Sequence, residues 1–244
     1  MLLEADLHTH SIASGHAFST IKEMAEHAAR KGLKMIAVTD HGINMPGGPH
    51  EYYFSQIVSL PGNIEGVEVL KGVEANIIDL NGNLDMPVRL LERLDLVLAG
   101  FHEGAGYQAG SVEQNTRAMM AAIQNPYVHI ICHPGNPEFP VDIEKVVQAA
   151  NTAGKALEIN NNSFSFSRPG SAPRCNQLAR LAARTGTLVA INSDAHSCFM
   201  VGNFDRALEV ATEAGIKPGQ VLNTSSELVR GYLIASRQRL KKIS

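Results

Sequence analysis

Histidines are the strongest chemical signal in this sequence of 244 residues, which contains ten of them and no tryptophan. Near the N-terminus, His8 and His10 alternate at the end of a strand-like segment, so their side chains project from one face and could bind one metal ion. Asp6 has the same parity and could orient a metal ligand from outside the coordination sphere. With His16 a few residues later, the segment predicts a strand end that binds metal.

Further imidazoles and carboxylates follow other short apolar runs, so six of the seven predicted strands end in a potential metal ligand. The candidate metal ligands are His8, His10, His16, His41, Glu74, His102, His133, Asp194 and His196. Three of them, Glu74, Asp194 and His196, are also the candidate catalytic residues. Seven imidazoles and two carboxylates without a thiolate form a ligand set that suits zinc, manganese or iron.

Each motif also has an ordinary explanation when it is taken alone. His8 and His10 could be surface histidines, and Asp194 could cap a helix. Nine potential ligands at the same kind of position favour a polynuclear metal site instead. The other three histidines, which we interpret as ordinary packing or surface residues, are His27, His50 and His129.

The elements that position these residues alternate between apolar runs and segments of helical periodicity, which indicates βα units around a mainly parallel sheet. The predicted strands are Leu3–Leu7, Met35–Thr39, Val67–Val73, Leu94–Ala99, Val128–Cys132, Ala156–Ile159 and Leu188–Ile191. The predicted helices include Ser19–Lys31 with Ser19 as N-cap, Ser111–Gln124, Asp142–Ala153, Ala172–Thr185 and Phe204–Ala214. No linker or repeat divides the chain, which predicts one domain over residues 1–244.

Seven parallel strands favour an α/β fold of the distorted TIM-like (β/α)7 barrel type. An open doubly wound sheet is the alternative, because the number of strands does not show whether the sheet closes. In both architectures the carboxyl ends of the strands converge on one face, where active sites are built. We therefore expect the nine candidate ligands to meet there.

Composition limits the classes of partner. With 44% hydrophobic and 18% charged residues, the chain is typical of globular proteins, and it has no apolar run of membrane-spanning length. A net charge of −3 leaves no electrostatic footprint for extended nucleic-acid binding. The N-terminus lacks the basic region of a secretory signal, so we expect a cytoplasmic protein, and three separated cysteines predict neither disulfides nor a cysteine-rich zinc site.

The loop over residues 160–170 follows the predicted strand that supplies no ligand. Arg168 in this loop could bind phosphate through two hydrogen bonds. An arginine in a long loop more often faces solvent, however, so Arg168 is not among the candidate site residues.

Seven segments of the chain resemble the PHP (polymerase and histidinol phosphatase) superfamily, most closely its small stand-alone YcdX-type phosphatases. They are DLHTHSIASGHAFST, AVTDHG, GVEANI, AGFHE, HIICHPGNP, LEINNNSF and SDAHS. The resemblance implies a distorted (β/α)7 barrel with three divalent metal ions per chain, for which zinc is the expected metal. It further implies one ion bound by His8, His10, Glu74 and Asp194, a second by Glu74, His102 and His133, and a third by His16, His41 and His196.

On this resemblance, the protein is expected to be a phosphatase that hydrolyses phosphate monoesters of small molecules with a metal-activated hydroxide. Three divalent ions would leave about four positive charges in the pocket, which suits a phosphate. The acid that protonates the leaving group is unassigned, with a water on the third metal and Glu103 as candidates. The resemblance also suggests a homo-oligomer, namely a trimer.

Three alternatives stay open at this point. A histidinol-phosphate phosphatase would use the same metal ligands on one specific substrate. A phosphodiesterase or nuclease of the same superfamily lacks support from a basic stripe or an aromatic platform. A metal-binding protein without turnover would need closed coordination spheres, whereas nine ligands with one bridging carboxylate leave positions open, as catalytic sites require.

Overall fold

The structure is a computed structural model that describes residues 1–165 and 167–241; Phe166, within the predicted 160–170 loop, lies outside the described residues. The strands are β1 (Ala5–Thr9), β2 (Met35–Val38), β3 (Asn63–Ile64), β4 (Val67–Asn76), β5 (Leu96–Gly100), β6 (Ile130–Ile131), β7 (Ala156–Asn160) and β8 (Val189–Asn192). The α-helices are α1 (Ile21–Arg30), α2 (Glu51–Ile57), α3 (Val88–Leu91), α4 (Val112–Gln124), α5 (Ile143–Ala153), α6 (Ala172–Thr185), α7 (Asp205–Glu213) and α8 (Ser226–Leu240).

Seven parallel strands form a nearly closed barrel in the order β1, β2, β4, β5, β6, β7, β8. Strand β3 adds a short antiparallel pair to β4. A parallel bridge between Thr9 and Ala195 joins the two outer strands at their carboxyl ends, where the amide of His10 donates to the Ala195 carbonyl at 2.8 Å. The predicted (β/α)7 barrel is therefore confirmed.

Toward the other end, a side chain fills the gap between β1 and β8. The Asn223 amide group donates to the carbonyls of Ala5 and Ile191 at 2.8 and 2.6 Å, and its oxygen accepts the Ile191 N–H at 3.0 Å. These contacts replace backbone pairing that the diverging strands cannot make, so the edges of the barrel are not left unpaired there.

Helix α8 covers the amino-terminal end of the barrel. Leu222, Val229 and Leu233 from this region join a buried cluster of small and aliphatic residues inside the barrel. A larger cluster lies outside, between the strands and the surrounding helices. No helix in the described part of the chain is long and apolar enough to cross a membrane.

Element bounds differ from the predicted ones at two informative places. β4 continues three residues past the predicted end at Val73, which brings Glu74 into the strand. The predicted N-cap Ser19 is wrong, because its hydroxyl accepts the Cys198 N–H at 2.9 Å. Thr20 caps α1 instead, in a capping box with Glu23.

Candidate metal centre

The carboxyl ends of the barrel strands bring eight of the nine predicted ligands within metal-binding reach of one another, and Glu74 of β4 lies at their centre. The ninth, His16, joins this group through contacts with the His41 and His196 rings. The Glu74 carboxylate is fully buried and faces five imidazoles. Oε1 lies 3.2 Å from His8 Nε2, 3.1 Å from His102 Nε2 and 2.6 Å from His133 Nε2, and Oε2 lies 3.4 Å from His10 Nε2 and 2.8 Å from His41 Nδ1.

A second group of contacts centres on Asp194, two residues after the end of β8. Its Oδ1 lies 3.5 Å from His8 Nε2 and 3.3 Å from His10 Nε2. Both Asp194 and His133 have a positive φ, 55° and 30°, which is uncommon for residues with a side chain. Such backbone conformations concentrate at functional sites, where they aim a side chain that a regular strand would point elsewhere.

The remaining histidines lie at the mouth of the group. His16 Nε2 is 3.2 Å from His41 Nε2, and the His16 and His196 rings stack with their centroids 4.9 Å apart. His16 is exposed, whereas His8 and His10 are fully buried. The group therefore has a deep half around Glu74 and Asp194 and an outer half that reaches solvent.

Candidate ligand atoms fall into four overlapping sets, each with its atoms within 4.8 Å of one another. The sets are His8 with His10 and Asp194, His8 with Glu74 and His133, His41 with Glu74 and His102, and His10 with His41 and His196. The first set lies within one expected site, whereas each of the other three combines ligands from two expected sites, and His16 belongs to none of the four sets.

A divalent cation fits these residues. Glu74 Oε2, Asp194 Oδ1 and His41 Nδ1 are buried and form no hydrogen bond of acceptable geometry among the described residues. Oε2 and His41 Nδ1 nevertheless lie 2.8 Å apart, and Oδ1 lies 3.3 Å from His10 Nε2. Buried carboxylate oxygens without a partner are costly, and a metal ion between carboxylates and imidazoles would satisfy them. The nitrogen and oxygen donors, with no thiolate among them, are the ligand types of a catalytic divalent metal.

The distal nitrogens of two imidazoles are held by chains that end in buried carboxylates. His10 Nδ1 lies 3.1 Å from Ser14 Oγ, which donates to Asp40 Oδ1 at 2.7 Å. His102 Nδ1 lies 2.7 Å from Asn76 Oδ1, and the Asn76 amide donates to Asp85. Such outer contacts fix the ring orientation and tautomer of ligating histidines.

Two residues near the centre were not among the predicted ligands. Glu158 of β7 accepts a hydrogen bond from His8 Nδ1 at 2.7 Å, although this strand was predicted to supply no ligand. The signal in the sequence was a charged residue inside an otherwise apolar strand run. Arg168 does not face solvent as expected for a long loop, because its guanidinium pairs with Asp194 Oδ2 at 2.8 Å.

Within the described part of the chain, Asp6 hydrogen-bonds to no site histidine, so any orienting role that it has acts on Asp194. Its carboxylate instead accepts the amide hydrogens of Ser193 and Gly202 at 3.1 and 2.9 Å. Asp6 thus anchors the segment that leads to Asp194. Of the three histidines outside the pattern, His27 lies in α1, His50 caps α2 and His129 is buried before β6.

Burial and neighbouring charges shift the pKa values of the site residues in different directions. Burial lowers the pKa of His8, but the carboxylates of Glu158, Glu74 and Asp194 outweigh it and raise this pKa well above the ordinary value. Burial and the neighbouring Arg168 lower the pKa of His133 to about 4. Burial opposes ionisation of Glu74, yet the surrounding imidazoles hold its pKa well below the usual range. The centre therefore keeps its carboxylates ionised.

A cavity of about 570 Å³ opens above the outer half of the group. His16, His41, His102, Arg168 and His196 line its polar side. Its other walls include the apolar side chains of Phe18, Met45, Phe101 and Met200. The volume lies in the range typical of small-molecule sites. A ligand with an anionic group and an organic part could therefore place the anion against the histidines and arginine.

Comparisons with known proteins point to one family. The PHP domain profile matches residues 6–162. A protein of Caldanaerobacter subterraneus named a probable phosphatase is 52% identical over 98% of this chain and 94% of its own length. A Proteus mirabilis protein of the same description is 43% identical over 94% of both chains. The structure of histidinol phosphate phosphatase from Lactococcus lactis, complexed with zinc, L-histidinol and phosphate, has a TM-score of 0.64 at 18% identity and covers 89% of this chain and 95% of its own.

Proposed function

Because the chain belongs to the PHP-domain family, we propose that it is a metal-dependent phosphatase that hydrolyses phosphate monoesters of small molecules. The resemblance drawn from the sequence is confirmed by the domain match and by relatives named probable phosphatases. The observation that carries the proposal is the convergence of seven imidazoles and two buried carboxylates beside an open cavity.

We propose three divalent ions, with zinc as the metal, held in the expected groupings. His8, His10, Glu74 and Asp194 would hold one ion, and Glu74 with His102 and His133 would hold a second. His16, His41 and His196 would hold the third. Ions bound there would supply Lewis-acid stabilisation of the phosphoryl oxygens and lower the pKa of water toward neutrality. The number and identity of the ions, like the predicted trimer and cytoplasmic location, remain predictions.

Residues of the chain itself define the place for the phosphate. The negative charge of Glu158 and the positive charge of Arg168 cancel, so an excess of about four positive charges would remain in the loaded pocket. Arg168 lines the cavity within hydrogen-bond distance of Asp194. We propose that its guanidinium turns one N–H toward a phosphoryl oxygen while Asp194 keeps it oriented.

We propose that Glu74, Asp194 and His196 act as catalytic residues as well as ligands. Glu74 faces ligands of the first two ions and would hold them at a fixed separation. His196 Nδ1 lies 3.5 Å from Asp194 Oδ1 and its ring borders the cavity, so it would lie beside a phosphate bound there. Glu103 also lines the cavity and is a candidate to protonate the leaving group.

The test is turnover of p-nitrophenyl phosphate on one preparation before chelation, after chelation and after readdition of zinc or manganese, with metal content measured at each stage. We expect about three ions per chain and turnover that is lost and restored with them. Bis-p-nitrophenyl phosphate and histidinol phosphate serve as parallel substrates. Fewer than two ions, or turnover that does not depend on metal, would contradict the proposal.

A further inference from the structure

Glu158 lies in the middle of β7, the barrel strand from which no candidate ligand comes. Its carboxylate is buried, with 2% of the residue exposed. Burying a carboxylate is costly unless hydrogen-bond donors surround it, and this residue has no place among the nine candidate ligands. Its surroundings therefore carry information about what it does.

Four donors from four places in the fold converge on this carboxylate. Oε1 accepts from His8 Nδ1 at 2.7 Å and from Asn192 Nδ2 at 2.9 Å. Oε2 accepts from the His133 amide at 2.8 Å and from Asn160 Nδ2 at 3.0 Å. All four partners donate to the carboxylate, and they hold it in the one orientation in which both oxygens accept their hydrogen bonds.

We infer that Glu158 is a positioning residue that prepares His8 and His133 for metal binding, an inference that rests on the proposed metal-dependent function. With Nδ1–H of His8 donating to Glu158, the lone pair available for a metal is on Nε2. That atom faces the centre, 3.2 Å from Glu74 Oε1 and 3.5 Å from Asp194 Oδ1. Glu158 thus selects the tautomer of His8 that can ligate.

The second half of the carboxylate supports the backbone of His133. This residue has a φ of 30°, and its amide hydrogen is bound to Glu158 at 2.8 Å. The same residue presents Nε2 to Glu74 Oε1 at 2.6 Å. A single side chain therefore connects two candidate ligands from β1 and from the turn after β6, whereas His10 and His102 are oriented through the neutral groups of Ser14 and Asn76.

The substitution Glu158→Gln tests this role with little change in volume. If its amide NH2 faces His8, Nδ1 must become an acceptor, which moves the proton to Nε2, where the metal should bind. If the NH2 instead faces the His133 amide, two donors oppose each other. We expect a 10- to 100-fold loss of zinc affinity, roughly the cost of losing an outer partner of a ligating histidine.

Zinc affinity is measured by competition with a chromophoric chelator, independently of turnover. In the zinc-loaded wild type, the His8 Nδ1 proton should give a protected signal in 15N-resolved spectra that disappears in Glu158→Gln. A double-mutant cycle with His8→Ala provides the control. In the His8→Ala background, Glu158→Gln should cause a smaller loss of zinc affinity, namely the part that acts through His133.

The outcomes are distinct. Equal zinc affinity of wild type and Glu158→Gln, or the same loss with and without His8, would overturn the positioning role and leave the proposed function intact. Absence of zinc binding by the wild type would overturn the proposed function and the positioning role with it. If Glu158→Gln does not fold by circular dichroism, Glu158→Asp replaces it. The shorter carboxylate cannot reach His8 and His133 together, and wild-type zinc affinity would then contradict the inference.

Discussion

The two ends of the barrel bury their residues by opposite means. At the carboxyl end, imidazoles and carboxylates fill the interior, and one buried oxygen each of Glu74 and Asp194 faces imidazole nitrogens without a hydrogen bond of acceptable geometry within the described ranges. At the amino end, α8 covers aliphatic side chains such as Leu233. The first end is organised for charge and the second for apolar packing.

This difference separates chemistry from stability within one fold. Active sites in such barrels lie at the carboxyl ends of the strands, where loops can vary without disturbing the core. Unsatisfied buried carboxylates destabilise a fold, while burial of aliphatic surface stabilises it. We therefore expect substitutions at the two ends to have separable effects on turnover and on the free energy of unfolding.

The largest expected effect is on turnover, in His10→Ala. His10 lies between Glu74 and Asp194 and is fully buried. Loss of this proposed direct ligand should lower kcat/KM by more than about 100-fold, since loss of even an outer partner of a ligand costs about 10- to 100-fold. The measurement is p-nitrophenyl phosphate turnover at saturating zinc, with circular dichroism to verify the fold. A folded variant that keeps its turnover would contradict the division between the two ends.

The next effect concerns stability, in Leu233→Ala at the amino end. Leu233 is 7% exposed and packs inside the barrel, so its truncation should cost about 2–4 kcal/mol in the free energy of unfolding. Turnover per folded molecule should not change. Leu228→Ala on the same helix, at a side chain 49% exposed, is the matched control and should change stability by about 0.5 kcal/mol or less. Equal costs of the two substitutions in urea unfolding would show that α8 does not plug the barrel.

The sequence predicted the carboxyl end of the barrel better than the amino end. Candidate ligands such as His41 and His133 come at or shortly after the ends of apolar runs, so the convergence of strand ends was enough to predict that they meet. The regular βα alternation predicted seven parallel strands and favoured a barrel, whereas their order and closure are findings of the structure. The packing of Val229 and Leu233 into the barrel could not be predicted, because helical periodicity shows that a face is apolar without showing what covers it.

Contacts between distant residues account for the other misses. Glu158 points into the barrel and reaches a site imidazole, whereas Asp6 lies between Ala5 and Leu7 of the inner cluster and faces outward. The register between β1 and β2 shifts between Asp6 and Thr9, so Asp6 does not share the face of His8 that strand parity predicted. Which neighbour a buried carboxylate meets depends on the register between strands and on the loops beyond them, and parity alone does not supply either. Arg168 likewise meets Asp194 because of the path of its loop.

The smallest expected effect at neutral pH is the acid dependence of stability that His129 contributes near the amino end, because it develops only below about pH 6.5. Burial, with a further contribution from Lys155, lowers the pKa of His129 to about 3, and its Nδ1 accepts the Val97 N–H at 3.1 Å. The unfolded chain binds this proton near pH 6.5 and the folded chain does not, so stability falls as the pH drops from about 6.5 toward 3.

His129→Asn retains an acceptor for Val97 and removes this titration. Urea unfolding at a series of pH values should show that wild type loses up to about 1.4 kcal/mol per pH unit more than the variant between pH 6 and 4. The site histidines, including His16 with its pKa lowered to about 4 by burial and by His41, contribute equally to both proteins and cancel in the difference. A difference in unfolding free energy that stays constant with pH would show that acid sensitivity comes from the carboxyl end alone.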